Sequence, residues 1–430
     1  MSRYETYKPS GIDWIGEVPE HWERKKIGRC FQTIGSGTTP EAGNSDYYEE
    51  GTINWINTGD LNDGDIIECE KQITKEALDK HSVLKIYPKG TVLIALYGAT
   101  IGKTGILQIE GATNQACCAL ADSPFIIPKF TFYWTNAVKD FLLTQSYGGG
   151  QPNISQEIIR QLRIYLPSKS EQLAIANYLD DQTQKIDRLI ANKKAQAEKL
   201  KELRQIEINN AVTKGLNPNV EMKDSGIEWL GKIPKHWEVK RLKNLAIQMS
   251  EKSSEILDDD FLVALENIGS HTGKFIETSS EYENNGIKFK KDNLLYNKLR
   301  PYLNKVFLAD KDGICVGDII VIECTPKLHP AFLQFRMLSD SFCSIIMSSV
   351  YGAKMPRTSW QFISSLKIGY PSLEEQTEIA SYLHQRTSAI DQLIKNIEAQ
   401  IEKLQELRKI KIYEAVTGKI KVNAYAETTA

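Results

Sequence analysis

No stretch of this 430-residue chain is apolar for long enough to cross a bilayer as a helix. Its opening residues, Met1-Ser-Arg-Tyr-Glu-Thr-Tyr-Lys8, lack the apolar core of a signal peptide, so the expected location is cytoplasmic. The seven cysteines (Cys30, Cys69, Cys117, Cys118, Cys315, Cys324, Cys343) are odd in number, form no C-x-x-C pair and have no histidine beside the vicinal 117–118 pair. This pattern argues for reduced thiols and against a disulfide framework or a structural zinc site. A surplus of basic charge is missing too. Lys and Arg number 53 against 55 Asp and Glu, a net −2 at pH 7. That excludes a surface that grips nucleic acid everywhere, but not local patches or a partner that supplies phosphate contacts.

Catalytic signatures are equally scarce. There is no G-x-S-x-G, H-E-x-x-H or G-x-G-x-x-G in a suitable context, and the six histidines are isolated. Tyr97-Gly98-Ala-Thr-Ile-Gly102-Lys103-Thr104 imitates a phosphate-binding loop but has three residues between its glycines where four are needed. A strand-like Gly105-Ile-Leu-Gln-Ile comes next, so the helix N-terminus that would hold phosphates is absent. The sequence therefore reads as non-catalytic, with no metal site and no cofactor of its own.

What the chain does have is a repeat. Ser10-Gly-Ile-Asp-Trp-Ile-Gly-Glu-Val-Pro-Glu-His-Trp22 returns as Ser225-Gly-Ile-Glu-Trp-Leu-Gly-Lys-Ile-Pro-Lys-His-Trp237. The stretch from Pro167-Ser-x-x-Glu-Gln172 to Ala211-Val-Thr213 returns between Pro371 and Ala415-Val-Thr417. Tyr147-Gly-x-x-x-Pro-x-x-Ser155 matches Tyr351-Gly-x-x-x-Pro-x-x-Ser359. The enclosed segments, 23–163 and 238–367, otherwise barely align. Two tandem halves thus share one frame and carry different inserts, which suits a protein that reads two different things.

Ser168 with Glu171, and Ser372 with Glu375, have capping-box spacing. No proline comes until Pro218 in the first half, and none in the second. The expected helices cover 170–214 and 374–417, each ~65 Å long at about 1.5 Å per residue. A heptad reading places Ile390, Ile397 and Leu404 at one position with Leu393 and Leu407 at the other. Ile186, Leu200, Leu189 and Leu203 take the equivalent places. Lys193, Gln196 and Gln400 interrupt this seam, and Ile190, Ala197, Ile394 and Ile401 form an adjoining stripe. Equivalent helices in two halves pack most naturally about a pseudo-two-fold, antiparallel. A helical hairpin with a solvated outer face fits the same pattern.

Both inserts read as mixed α/β with short strands, including 91–96 and 319–322, and helices near 129–146 and 330–348. The first is rich in polar and glycine loops, which hold Ser36, Thr38, Thr39, Asn57, Thr58, Tyr97, Thr100, Lys103, Asn114, Gln115, Gln151 and Asn153. Such side chains can hydrogen-bond base edges, though each loop alone is ordinarily a surface turn. In the second, residues 288–305 carry six basic residues against the single acid Asp292, with Phe289, Tyr296 and Tyr302 interleaved. A charge run is usually a solvated face, but alternation with aromatics fits nucleic acid better. Lys298, Arg300, Tyr302, Lys354 and Arg357 are the candidates there, with Asn267, Ser270 and His271 weaker ones.

The repeated Ser-Gly-Ile-Asp/Glu-Trp-Ile/Leu-Gly-x-Val/Ile-Pro-x-His-Trp, with Pro-Ser-x-x-Glu-Gln opening a long helix, resembles the specificity subunit of type I restriction-modification systems. The resemblance covers nearly the whole chain. It implies an α+β protein with an internal pseudo-two-fold repeat, two α/β target recognition domains with short-stranded sheets and two long helices in an antiparallel coiled coil. The expected division is 1–166 and 217–370 for the recognition domains, 167–216 and 371–420 for the helices, and 421–430 for a tail. The resemblance also implies double-stranded DNA as ligand and two modification (adenine-N6 methyltransferase) subunits docked on the helices. Two restriction/translocase subunits would complete the assembly. S-adenosylmethionine, ATP and Mg would lie on those partners, with no membrane involved. The target would be bipartite, with a spacer bounded by helix length: ~65 Å is about two turns of B-DNA at roughly 34–36 Å each. The competing expectation is a protein scaffold assembled through its helices without sequence readout.

Overall fold

The computed structural model describes residues 2–146, 153–253, 260–278, 286–350 and 355–422. The chain forms two compact units, 1–192 with 400–430, and 193–399. The long helices span Lys169–Lys214 and Leu373–Val416, within a residue of expectation at every end, and each contributes to both units. Among the described residues no helix is long and apolar enough to cross a membrane.

Half of each expected capping box forms. Ser168 Oγ accepts the Glu171 N–H and Ser372 Oγ accepts the Glu375 N–H, both at 3.3 Å. The glutamates turn instead to the repeated His-Trp. Glu171 accepts from His21 Nε2 at 3.0 Å and Trp22 Nε1 at 3.2 Å, and the Tyr4 hydroxyl donates to it as well. Glu375 accepts from His236 Nε2 at 2.8 Å and Trp237 Nε1 at 3.1 Å. Trp22 and Trp237 are wholly buried, so their indole N–H groups need an acceptor, and the helix-start glutamate supplies it. The next residue of the motif is also explained. Buried Gln172 bonds the Ile127 N–H and the carbonyls of Phe125 and Pro167, and Gln376 repeats this with His329, Lys327 and Pro371. The repeated phrases are thus the two sides of one joint, fastening each module to its helix.

The first unit's core joins Ile175, Tyr178 and Leu179 near the start of the first long helix with Ile412, Ala415 and Val416 at the end of the second. In the second unit, Ile208, Ala211 and Val212 gather with Ile379 and Leu383. Within each unit the two helical stretches therefore run antiparallel. The seam differs from the heptad reading. Leu189 and Leu393 are 49% and 51% exposed, while Ile186, Ile190, Ala197, Ile390 and Ile394 are buried. Ile175, Ile186, Ala197 and Ile208 recur every eleven residues, as do Ile379, Ile390, Ile401 and Ile412. Eleven residues in three turns is about 3.67 per turn, close to a straight helix and free of the left-handed supercoil that a heptad imposes.

Although the inserts barely align in sequence, each builds its own sheet with a similar strand order. The first module orders its strands Thr33–Gly35, Cys117–Ala121, Val92–Ala95, Thr104–Leu107 and Gly64–Ile66. The second orders Ala246–Met249, Ile319–Cys324, Leu294–Asn297 and Val306–Leu308. The central register coincides: Cys117 pairs with Ala95, and Ile319 with Asn297. A second sheet in each module, of three strands in the first and four in the second, contains one parallel pair, Trp55 with Ala112 and Val263 with Cys315. The helix expected near 129–146 is Pro128–Thr144, but that near 330–348 is broken into Pro330–Leu338 and Asp340–Ser348. Ser339 is extended, and its hydroxyl donates to the Arg336 carbonyl at 2.7 Å, competing with the helical ladder.

Candidate nucleic-acid interface

In the first module the chain leaves the strands ending at Gly35, Ile56, Ala95 and Thr113 on one rim. The pairings put them there: Thr113 lies beside Ile56, and Ala95 beside Cys117, which begins its strand next to Gly35's partner Ala119. Gly37 passes so close to the Thr113 carbonyl that a Cβ would sit 1.7 Å from that oxygen, and its N–H bonds the Thr113 hydroxyl at 3.1 Å. This close approach needs glycine. Thr39 Oγ1 then donates to Gln115 Oε1 at 2.7 Å, and Asn114 Nδ2 to Asn57 Oδ1 at 3.0 Å. The Leu96 N–H bonds the Ala116 carbonyl, and Tyr97 bridges to Asn153. Ser36, Thr38, Thr39, Asn57, Thr58, Tyr97, Asn114, Gln115 and Asn153 therefore share the rim. Thr100 Oγ1 donates to the Tyr97 carbonyl at 2.8 Å. Gly98–Thr100 is a short 3-10 turn running into the strand Thr104–Leu107, so the phosphate-loop resemblance fails as expected. No acid pairs with the Lys103 ammonium among the described residues. Among the described residues, buried Ser36 Oγ has no hydrogen-bond partner. Gln151 lies outside the described residues.

The second module builds an equivalent rim from different side chains. Leu299 bridges to Arg357, the Arg300 N–H bonds the Pro356 carbonyl at 2.8 Å, and the Thr358 N–H bonds the Lys298 carbonyl at 3.0 Å. Arg300 and Asn304 flank the turn Pro301–Leu303 in left-handed backbone, at φ 50° and 43°. Such conformations cost about 1–3 kcal/mol each outside glycine and gather at functional loops. Arg300 and Tyr302 are exposed. Of the interleaved aromatics, Phe289 and Tyr296 are core residues, so the basic run is not one continuous face. Lys288 pairs with Glu251, and Lys305, its ammonium pushed down by burial, bonds the Leu265 carbonyl at 2.6 Å. Asn267 is buried and spends its carboxamide on the Ala264 N–H, the Ile276 carbonyl and Thr278. It is a loop support with no edge turned to solvent. His271 is exposed, but its loop is pinned by Arg204, whose guanidinium donates to the His271 and Thr272 carbonyls. Lys354 lies outside the described residues.

One rim residue carries no clear mark in the sequence. Asp318 pairs with Lys298 Nζ at 3.4 Å and Arg357 Nη2 at 2.9 Å. Its only signal is faint: an acid after a glycine, just before the strand whose first-module counterpart begins at Cys117.

Comparison with known proteins agrees with this layout. The family described as "Type I restriction modification DNA specificity domain" matches twice, over residues 19–199 and 234–403. The type I restriction enzyme MjaVIII specificity subunit of Methanocaldococcus jannaschii is 26% identical over 94% of each chain. The EcoDI specificity subunit of Escherichia coli is 25% identical over 96% of this chain and 91% of its own. A chain solved in work on complex assembly and conformational transition of the type I R-M system superposes with a TM-score of 0.71 at 13% identity, covering 94% of this chain and 99% of that one. The HsdS subunit from Thermoanaerobacter tengcongensis gives 0.51 at 14% identity, covering 94% and 98%. The repeated frame, the paired modules and these matches together place the chain in the family of type I restriction-modification DNA specificity subunits, the non-catalytic recognition members of such systems.

Proposed function

We propose that the chain reads an asymmetric bipartite DNA target, one half-site per module. The observation that carries this reading is the pair of rims: equivalent strand ends, with amides and hydroxyls on the first and Lys298, Arg300 and Arg357 on the second. Amides suit adenine edges and guanidinium groups suit guanine, so unlike rims imply unlike half-sites. In this reading the long helices set the interval between half-sites and dock two adenine-N6 methyltransferase subunits. Two restriction/translocase subunits complete the assembly, with S-adenosylmethionine, ATP and Mg on the partners. A net charge of −2 leaves much of the phosphate grip to those partners, so DNA binding by this chain alone is weak and falls less steeply with salt than binding by the whole complex.

Mapping methylated adenines in cells that express the chain with its methyltransferase should reveal a split motif. Moving residues 23–163 into a related specificity subunit should transfer one half-site and leave the other alone. A swap that alters both half-sites, or neither, refutes the modular reading. A scaffold without readout would give no motif at all.

A further inference from the structure

We infer that Asp318 is a specificity-determining positioning residue: it holds Arg357 edge-on so that its free guanidinium edge reads a guanine in the second module's half-site. The inference rests on the DNA-reading function proposed above and adds the identity of one contact.

Asp318 is fixed before any ligand arrives. Gly317, at φ +79°, makes the turn that delivers it to the head of the strand Ile319–Cys324. Its carbonyl accepts the Lys298 N–H at 2.9 Å. Its carboxylate then grips two side chains from two other segments, Lys298 through one oxygen and Arg357 through the other. The side chain of Asp318 is 22% exposed, while that of Arg357 is 59% exposed. The acid is therefore the inner member of the cluster, and the arginine projects outward from it.

An acid among rim cations weakens attraction to phosphate, so such a cluster is ill suited to gripping backbone alone. It is well suited to a base edge. Among the described residues, Arg357 hydrogen-bonds the carboxylate through Nη2 alone, which leaves the rest of the guanidinium for the two acceptors of guanine, O6 and N7. A free arginine would lose side-chain entropy on docking, whereas one already held by a carboxylate loses less. The first module has no counterpart, since Ala116 occupies the equivalent place before Cys117.

The test uses the full chain assembled with its methyltransferase subunits, selecting from random DNA and comparing wild type, Asp318→Asn, Arg357→Ala and the double variant. Wild type should show a guanine at one position of one half-site. Asp318→Asn should lower that preference by about five- to a hundredfold, the range of one bidentate contact. Arg357→Ala should relax the same position. The double variant should be no worse than Arg357→Ala alone, because both remove one contact. All other positions should stay as in wild type. An unchanged preference in Asp318→Asn overturns the inference. So does relaxation at a different position, which would make Asp318 a base reader itself, or uniform weakening on every sequence, which would make it only a loop support. Absence of any motif with the wild-type complex would sink the DNA-reading function instead.

Discussion

Arg204 and Arg408 hold the same place in the repeat, and so do Asp187 and Asp391. In the second unit Arg204 Nε bonds Asp391 Oδ1 at 3.0 Å, and in the first Arg408 Nε bonds Asp187 Oδ1 at 3.0 Å. Each pair crosses between the long helices, with the halves exchanging roles. The surroundings have diverged. Arg204 is 7% exposed and also holds the His271 and Thr272 carbonyls, while Lys274 adds an ion pair to Asp391 at 2.6 Å. Arg408 is 23% exposed, and Asp187 is 52% exposed. Duplication set one contact twice, and the second insert then built a loop on its copy. An inherited joint can thus become the anchor of a neighbouring loop without changing its own residues.

The two joints should differ most at the arginines. Arg204→Ala should cost ~3 kcal/mol, the low end for breaking a buried pair, because Lys274 still partners Asp391. Arg408→Ala should cost at most about 1 kcal/mol, as exposed pairs do. Hydrogen exchange read segment by segment checks this: residues 268–278 should lose protection in the first variant, and the first unit should hardly change in the second. Equal effects would show that the extra contacts to the loop carry no weight.

The helix-start glutamates should also distinguish the two units. Among the described residues, Glu171 serves three donors and Glu375 two. Replacing either by Gln should weaken its joint by about 1.5–3 kcal/mol per charge-assisted bond forfeited, less what the amide oxygen recovers. The larger loss should fall on the first unit, where Tyr4 is the additional donor. Its hydroxyl is pushed far up by burial and by the neighbouring carboxylate, so it stays a donor at any ordinary pH. Local hydrogen exchange at the joint, with indole fluorescence, reads the difference. A larger effect in Glu375→Gln would contradict it.

At the proposed readers, Arg300→Ala should relax one base position by ~1–3 kcal/mol while leaving stability nearly unchanged, because the side chain is exposed. A selection with the assembled complex would show it. Unaltered affinity at every salt concentration would remove Arg300 from the rim.

How much of this is legible in the sequence depends on the range of the interactions. Helix limits come from local signals, proline spacing and Ser168 or Ser372 caps, and these place the ends to a residue. The helix seam departs from its heptad reading because a heptad and an eleven-residue pattern share many positions over a short span. Leu189 and Leu393 are as apolar as Ile190 and Ile394, and only the neighbours decide which pair is buried. The similar strand order of the two modules is hidden because pleat and burial tolerate many apolar sequences, so register survives where identity does not. Asn267 and Asp318 show the same limit at the rim. One looks like a reader and is consumed internally, while the other looks like an ordinary turn acid and stands among the cations. Fate in both cases depends on partners distant in sequence.

The smallest contrast is one of pH. Ile127 and His329 stand in equivalent places, each giving its N–H to the buried motif glutamine. Burial pushes the His329 imidazole below its ordinary value, against an upward pull from Asp292. The folded second unit therefore resists a proton that the unfolded chain takes up near pH 6.5. Below about that pH the unfolded state binds more protons, so stability falls as pH drops and levels off only once the folded imidazole also titrates. The first unit, with Ile127 there, has no titrating group at this place. Hydrogen exchange around residues 373–383 should therefore quicken between pH 7.5 and 5 more than around 169–179, after correction for intrinsic rates. His329→Ile should erase the difference, and a difference that survives this substitution would assign the acid sensitivity to another group.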